Sequence, residues 1–283
     1  MRYDLDDLRL FLHTVTEGSI TAGARRMHLS LPSASARVRA LERHARDVLD
    51  RTARLESAVA SYSRSPTAPL VLLGGGSAMH RLVPRALVTF LRAHPDVDVT
   101  VCESPTPGTV RRLADGQADL GVVLDAEARD CGLRTEPLGD DSLVVIGRAG
   151  GILAGRTALS YGEVAEHPLV GLDESSSLRR WIERRLGERA PVVRYRTTVA
   201  SLNVQVALAA GGVGLAVVPR RALDPGRSLD VCELQDPWAR RHHLLAWGVK
   251  DGPQAAVTAL ADHLRRAALA EPSAGAQTAA EGA

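Results

Sequence analysis

Apolar and small side chains recur between residues 38 and 62 at alternating intervals of three and four positions. The positions are Val38, Leu41, Ala45, Val48, Thr52, Leu55, Val59 and Tyr62. This spacing is the heptad pattern of a helix that packs along a second helix. Because no Gly or Pro occurs between Pro32 and Pro66, it predicts one continuous helix of about 30 residues, about 45 Å long. We expect a homodimer interface at Val48, Leu55, Val59 and Tyr62.

Three short helices are predicted at the N-terminal end of the chain. Asp4 is placed to cap the first helix and Gly18 to end it. Ser19 caps a second helix, and Ser30 caps a third, which tolerates Pro32 in its first turn. The apolar face predicted for the first helix consists of Leu5, Leu8, Phe11, Leu12 and Val15. Two short helices joined by a tight turn, the second with an exposed polar start, are typical of a helix-turn-helix.

Such a unit places the start of its second helix in the major groove of DNA. Ser33, Ser35, Arg37 and Arg39 would there meet base edges and phosphates. Residues 1–65 carry eleven arginines against eight acidic residues, a local net charge of +3. That excess is modest, so on physical grounds alone a plain three-helix bundle remains the commoner alternative.

Beyond a short hinge at residues 65–69, strand patterns and helix patterns alternate, which is typical of an α/β domain. The predicted strands are residues 70–73, 97–102, 119–124, 143–146, 169–172, 192–195, 214–218 and 244–247. The predicted helices are residues 74–91, 109–114, 177–186, 201–210 and 254–269. A tail at residues 271–283, rich in Ala, Gly, Ser and Glu, is predicted to be disordered.

Bulk composition narrows the possible classes of protein. Hydrophobic residues make up 45% of the chain and charged residues 24%, as in ordinary soluble proteins. The net charge of +2 gives no global basic field, so any nucleic-acid signal must be local. The acidic N-terminus is not a signal peptide and no apolar run is long enough to span a membrane. We therefore expect a cytoplasmic protein.

The N-terminal residues resemble the signature of LysR-type transcriptional regulators. The matching run includes Phe11, Val15, residues 17–21, residues 30–33 and Leu41-Glu42. The resemblance implies that Thr21 holds the phosphate backbone and that residues 30–39 read bases. The predicted DNA-binding residues are therefore Ser19, Thr21, Ser30, Leu31, Pro32, Ser33, Ser35, Arg37 and Arg39.

Two departures from the family pattern bear on DNA binding. Leu31 stands where the family usually has Gln, and a Leu can contact only a thymine methyl group. Glu42 is followed directly by a segment that resembles the family's linker helix, so the β-hairpin wing is missing. We hypothesise that the third helix and the linker helix form one rod. DNA affinity should then fall, because wing arginines add phosphate and minor-groove contacts.

The C-terminal part resembles the LysR-type effector domain, which shares the fold of type 2 periplasmic binding proteins. The similar segments are residues 82–99, 113–123 and 206–220. The resemblance implies two α/β lobes, joined by two crossing strands, with a small-molecule cleft between them. The expected lobes are residues 70–147 with 248–270, and residues 148–247. The predicted domains are 1–43, helix-turn-helix; 44–65, linker helix; 66–270, effector domain; and 271–283, tail.

In such a cleft, ligands bind at helix N-termini, where free N–H groups and the helix dipole favour anions. Hydroxyl groups after strands suit a small carboxylate or a similar polar effector, whereas carboxylates would hold an amine and leave the ligand charge open. A helix cap is the alternative role of each single Ser. The predicted effector-binding residues are Ser77, Thr106, Thr109, Asp125, Asp173, Ser175, Ser176 and Ser201.

No catalytic constellation, cofactor motif or metal site is predicted. Gly74-Gly75-Gly76 lacks the rest of a phosphate loop, and the Gly-rich run at residues 211–214 follows a helix, the wrong context for a dinucleotide site. His242 and His243 are adjacent in a predicted strand, so their side chains face opposite ways. The three cysteines, widely separated and odd in number, are expected to be reduced thiols, with a redox-sensing pair as the alternative.

These features favour a bacterial regulator, not an enzyme, that binds operator DNA, dimerises through the linker helix and responds to a small effector. The resemblance further implies a homotetramer and contact with RNA polymerase. One alternative is a regulator-derived ligand-binding or interaction module without specific operator binding. A solute-binding protein is another, weakened by the helix-turn-helix and the absence of a signal peptide.

Overall fold

The computed structural model describes residues 4–41, 44–45, 69–224, 226–249 and 254–270. They belong to two compact units, divided between Ala68 and Pro69. The proposed dimer positions Val48, Leu55, Val59 and Tyr62 lie outside the described residues. So do most of the predicted rod and linker, and the tail.

The first unit contains the three predicted helices, α1 (Leu5–Glu17), α2 (Ile20–Arg26) and α3 (residues 31–41). The Asp4 carboxylate accepts the Asp6 N–H at 3.4 Å, and the Ser19 hydroxyl accepts the Ala22 N–H at 3.2 Å. Gly18 ends α1 with a φ of 72°, a left-handed conformation that glycine adopts without strain. The predicted caps of α1 and α2 are thus confirmed.

The apolar face predicted for α1 does not pack in the core of the first unit. Its five apolar side chains are exposed, from 41% for Phe11 to 69% for Leu5, whereas Leu10 is fully buried. Leu10 packs in a small core with Ala24, Ala34 and Val38. A Cβ atom on Gly23 would lie 2.7 Å from the Thr14 hydroxyl oxygen, so glycine permits this close helix approach. The small residues of α2 and α3 therefore pack against the side of α1 that carries Leu10 and Thr14, and not against its most apolar side.

The second unit is built on a five-stranded sheet and a four-stranded sheet. The strands of the first sheet are β1 (Leu70–Gly74), β2 (Val99–Glu103), β3 (Leu120–Leu124), β4 (Thr135–Asp140) and β11 (His242–Trp247). Their order in the sheet is β2-β1-β3-β11-β4. Strand β1 pairs in parallel with β2 and β3, while β11 runs antiparallel to β3 and β4. Its helices are α4 (Gly76–His80), α5 (Leu82–Ala93), α6 (Thr106–Ala114), α7 (Asp125–Ala128) and α11 (Gln254–Leu269).

The second sheet has the order β6-β10-β5-β9 and lies with a separate parallel pair, β7 and β8. Its strands are β5 (Leu143–Arg148), β6 (Ala158–Leu159), β9 (Ala216–Pro219) and β10 (Leu229–Leu234). The parallel pair is β7 (Leu169–Leu172) and β8 (Tyr195–Val199). The helices of this part are α8 (Tyr161–Ala165), α9 (Ser177–Leu186) and α10 (Leu202–Ala210).

The chain passes from the first sheet to the second between Asp140 and Leu143, and it returns between Ala239 and His242. The first lobe therefore comprises residues 69–140, 242–249 and 254–269, and the second lobe residues 143–224 and 226–239. The expected lobe boundaries are wrong by one strand at each crossing, because β5 and β11 were placed in the opposite lobes. Both strands are largely buried, so their hydrophobicity does not reveal which sheet they join.

Several element boundaries also differ from the predictions. The helix expected at residues 74–91 is split at Arg81, because Pro84 lacks the N–H that would continue the helix back to His80. The strand expected at residues 192–195 lies instead at β8, and Val192 is 95% exposed. Strands β4, β6 and β10 were not predicted at all.

Candidate functional site

A cleft of about 360 Å³ opens between the two lobes of the second unit. The first lobe contributes residues from α4, the start of α6 and β11, and the second lobe contributes residues from α9 and the start of α10. Polar side chains from both lobes line it, including Ser77, His80, Glu103, Thr106, Ser176, Arg180, Arg184, Ser201, Arg241 and His243. The cleft is therefore suited to a small polar ligand.

Four of the predicted effector-binding residues line this cleft: Ser77, Thr106, Ser176 and Ser201. The Thr106 hydroxyl accepts the Leu124 N–H at 3.0 Å, and the Ser176 hydroxyl caps α9. Ser201 precedes α10, but its side chain makes no capping hydrogen bond. Of the hydroxyls of Thr106, Ser176 and Ser201, only that of Ser201 does not accept a backbone N–H in these ways.

The other four predicted residues do not line this cleft. Thr109 is fully buried and donates to the Ser104 carbonyl at 3.2 Å. Asp125 accepts the Ala126 N–H at 2.8 Å. Asp173 accepts both the N–H and the hydroxyl of Ser175, at 2.9 and 2.6 Å, and the hydroxyl bond is the main cause of its lowered pKa. In this conformation, these side chains shape local turns and helix starts.

The floor of the cleft is a buried polar cluster where the chain crosses between the lobes. Arg241 donates through Nη2 to the Asp141 carboxylate and through Nε to the Asp141 carbonyl at 3.2 Å. Ser77 donates to Asp141 Oδ2 at 3.2 Å, and its oxygen lies 3.1 Å from His243 Nε2. Asp141, Arg241 and His243 are each at most 2% exposed. Asp141 lies where the chain crosses to the second lobe, and Arg241 lies where it returns. Their ion pair therefore joins the two crossing segments.

The protonation state of His243 follows from these contacts. Burial lowers its pKa to about 4, although the Asp141 charge opposes the shift, so the imidazole is neutral at pH 7. Because the single Ser77 proton goes to Asp141, the Ser77 oxygen accepts the proton on His243 Nε2. His243 Nδ1 is then a bare acceptor, and it has no hydrogen-bond partner in the described residues.

The Ser77, His243 and Asp141 contacts differ from a hydrolytic triad. In a triad the carboxylate contacts one imidazole nitrogen and the nucleophilic hydroxyl contacts the other. Here Asp141 Oδ2 lies 3.6 Å from Nε2, the same nitrogen that faces Ser77. The acid therefore does not orient the histidine as a general base.

Arginines of α9 surround the mouth of the cleft. Arg184 in the second lobe pairs with Glu127 in the first lobe at 2.6 Å, so this ion pair spans the two lobes. Arg180 is exposed and lines the cleft one helical turn earlier. Trp181, which follows Arg180 in α9, is buried. The Arg241 guanidinium carbon lies 5.6 Å from the centre of its ring. Its indole Nε1 has no hydrogen-bond partner in the described residues.

Sequence reasoning missed the floor of the cleft and the arginines. Two signals were present: Arg180 and Arg184 are one turn apart on a correctly predicted helix, and Arg241 and His243 are two positions apart where the chain enters β11. Nothing local in the sequence, however, connects Asp141 with Arg241, which lies 100 positions away.

The predicted DNA-binding residues cluster at the start of α3, and most are exposed. Ser30, Leu31, Pro32 and Ser33 form a continuous exposed run, while the next residue, Ala34, is buried. Ser35 is half-buried, Thr21 and Arg39 are exposed, and the Ser19 hydroxyl caps α2. Arg37 is half-buried, and its Nε lies 2.6 Å from Asp7 Oδ1 on α1. Its guanidinium is therefore already engaged within the unit.

Other predicted features have plain outcomes. His242 is exposed and His243 is buried, so the two side chains do point in opposite directions. Among the described residues, no group of three or more metal-ligating side chains comes together. The three cysteines are free thiols, and burial raises the pKa of Cys232. Within the described part of the chain, no helix is long and apolar enough to cross a membrane.

Two family models match the chain. The model described as the LysR substrate binding domain matches residues 63–269. The model described as the bacterial regulatory helix-turn-helix protein, lysR family, matches residues 5–56. Together they cover both units.

Individual relatives agree with these matches. The RuBisCO operon transcriptional regulator of Allochromatium vinosum is 26% identical over 250 residues, which is 79% of this chain and 82% of that protein. Full-length CbnR in complex with its target DNA has a TM-score of 0.55 at 18% identity, covering 94% of this chain and 99% of CbnR. The BenM effector-binding domain with its effector benzoate has a TM-score of 0.54 at 18% identity, covering 70% of this chain and 90% of that domain.

These matches confirm the resemblance and the fold class that the sequence predicted. They also confirm a DNA-binding regulator that responds to a ligand, and not an enzyme. The effector-domain model alone matches more than half of this chain. The chain therefore belongs to the LysR family of bacterial transcriptional regulators.

Proposed function

We propose that this regulator reads operator DNA with the first turn of α3 and that a small anionic effector bound in the cleft changes how it does so. The observation that carries the DNA part is the exposed run of residues 30–33, followed by the buried Ala34 and Val38. One side of α3 packs in the core while the side chains of its first turn are left for a partner. Such an arrangement suits insertion into a major groove.

Within this surface, the residues divide into two roles. Ser30, Leu31, Pro32 and Ser33 face base edges, where Ser33 offers a hydroxyl and Leu31 offers contact with a thymine methyl group. Ser19 and Thr21, at the start of α2, approach the phosphate backbone. Ser35, Arg37 and Arg39 complete the surface. Of these two arginines, Arg39 is exposed whereas Arg37 is paired with Asp7.

The effector part rests on the polar lining that the two lobes share. Ser77 and Thr106 of the first lobe, with Ser176 and Ser201 of the second, surround the ligand. BenM, a structural neighbour, holds benzoate in its effector domain. A ligand that contacts both lobes favours one lobe arrangement over the other, and that difference changes the spacing of paired recognition helices.

Membership of the family supports a proposal for the assembly and the cellular setting. We propose a homodimer through Val48, Leu55, Val59 and Tyr62 of the linker helix, a tetramer of two such dimers, and contact with RNA polymerase at the promoter. The protein acts in the cytoplasm, where the operator DNA is.

The decisive experiment is fluorescence anisotropy with DNA from upstream of the protein's own gene, against scrambled DNA at two salt concentrations. A preference of several hundredfold or more is expected, because specific regulators discriminate by about 10³-fold or more. Equal binding to both DNAs, collapsing with salt, would instead favour an interaction module without specific operator binding. Ser33→Ala should reduce the preference, whereas the matched control Ser228→Ala, an exposed serine of the second unit, should not.

A further inference from the structure

The cleft offers hydrogen-bond donors that have no acceptor in the described residues. Arg241 uses Nε and Nη2 for Asp141, and no hydrogen bond is found from its Nη1. Trp181 Nε1 is likewise buried and unpartnered. The two groups are neighbours, because the Arg241 guanidinium carbon lies 5.6 Å from the Trp181 ring centre. Both residues line the cleft. A guanidinium that lies over an indole ring, together with the indole N–H, offers two donors of the kind that bind a carboxylate.

The same wall also offers an acceptor without a donor. His243 lines the cleft, is 2% exposed and has an unpartnered Nδ1. This nitrogen is a bare acceptor, because Nε2 holds the proton that Ser77 accepts. Buried polar atoms in native proteins nearly always have a partner, so an unpartnered one in a ligand cleft points to a group on the ligand.

A shared contact brings the two ligand-facing side chains together. His243 Nε2 lies 3.6 Å from Asp141 Oδ2, the same oxygen that accepts from Arg241 Nη2, so Arg241 and His243 are neighbours at the floor. A small ligand that satisfies both carries an acid and a hydrogen-bond donor close to each other.

Resting on the cleft being the effector site, we infer that the effector is a small hydroxy acid. Its carboxylate accepts from Arg241 Nη1 and Trp181 Nε1, and its hydroxyl donates to His243 Nδ1. The hydroxyl determines specificity, because an acid that lacks it leaves His243 Nδ1 buried without a partner. A site built around such a bond strongly rejects the analogue that cannot make it.

The test uses pairs of acids that differ by one hydroxyl: glycolate and acetate, lactate and propionate, malate and succinate. Binding to the full chain is measured by isothermal titration calorimetry. In the pair whose size fits, the hydroxy acid should bind about tenfold or more tightly than its partner. The diol 1,2-propanediol, which lacks the acid, should not bind.

Two substitutions of one side chain assign the preference to Nδ1. Gln at position 243 can replace the Nε2 donor that faces Ser77 but not the Nδ1 acceptor, whereas Asn can place an oxygen near Nδ1. His243→Gln should therefore reduce the hydroxyl preference to about one while the simple acid binds as before, and His243→Asn should keep much of the preference. Circular dichroism and thermal melts establish that both variants fold.

The outcomes separate this inference from the proposed function. If simple acids bind as tightly as hydroxy acids in every pair, the cleft is an anion site and the hydroxy-acid inference is wrong. If no member of any pair binds at millimolar concentration, the inference is equally wrong, whereas operator binding is decided independently by the anisotropy experiment. An unchanged preference in His243→Gln would also overturn it.

Discussion

The start of α3 and the floor of the cleft present polar side chains in opposite ways. At α3, residues 30–33 are consecutive and exposed. At the floor, Ser77, Asp141 and the Arg241–His243 segment come from three separate parts of the chain and are buried or partly buried against one another. The first surface is a continuous stretch of sequence, and the second exists only once both lobes have folded.

This contrast has an energetic consequence. An exposed polar side chain remains solvated, so replacing it changes binding and hardly changes stability. A buried charge must keep its partner, because an uncompensated charge in the interior is costly. Substitutions at α3 should therefore affect DNA binding alone, whereas substitutions at the floor should affect folding, lobe orientation and ligand binding together.

The largest expected effect comes from breaking the buried ion pair. Asp141→Asn keeps the shape of the side chain but leaves the Arg241 charge uncompensated, which should cost about 3–5 kcal/mol of unfolding free energy. Urea denaturation of the full chain measures it. Ser33→Ala, the counterpart at α3, should change the same quantity by no more than about 0.5 kcal/mol. Similar losses for the two variants would contradict the contrast.

How far the sequence could predict each region follows from the same difference. The caps at Asp4 and Ser19 and the helix-turn-helix were predictable, because each depends on residues within one turn of the chain. The side of α1 that packs inward was not, since it is decided by Gly23, Ala24 and Ala34 on other helices rather than by the apolar pattern of α1.

In the cleft, only half of the predicted effector residues line the site. Ser77, Thr106, Ser176 and Ser201 do, because they begin helices that face the other lobe. The remaining hydroxyls and carboxylates have the same local signature, and only the tertiary structure separates the two groups. The Asp141–Arg241 pair could not be predicted, because the sequence did not show that the chain crosses between the lobes just before β5 and just before β11.

The next largest effect is a pH dependence that belongs to the floor alone. The pKa of His243 is about 4 in the folded protein, below its ordinary value of 6.5, so the unfolded chain takes up the proton first. Stability is therefore full above pH 6.5 and falls as the pH drops toward 4, by about 1.4 kcal/mol for each pH unit. The groups that face the imidazole are Asp140, Asp141, Arg221 and Arg241.

Urea denaturation across this pH window should show a steeper loss of stability in the native chain than in His243→Gln, which removes the titrating group. His80 and His263 also have lowered pKa values, but they remain in both proteins, so the difference between the two curves isolates His243. Parallel curves would mean that the imidazole is not held neutral by burial.

The smallest effect concerns the DNA surface, where Arg37 and Arg39 differ in what already occupies them. Arg39 is exposed, and Arg37 is half-buried beside Asp7 at 2.6 Å. If Arg39 contacts a phosphate, Arg39→Gln should weaken binding to operator and scrambled DNA alike and reduce the salt slope of log K by about 1. Arg37→Gln should change that slope less, because its charge is already balanced within the unit. Anisotropy titrations at several salt concentrations measure both slopes, and a larger change for Arg37 would mean that the Asp7 pair opens when DNA binds.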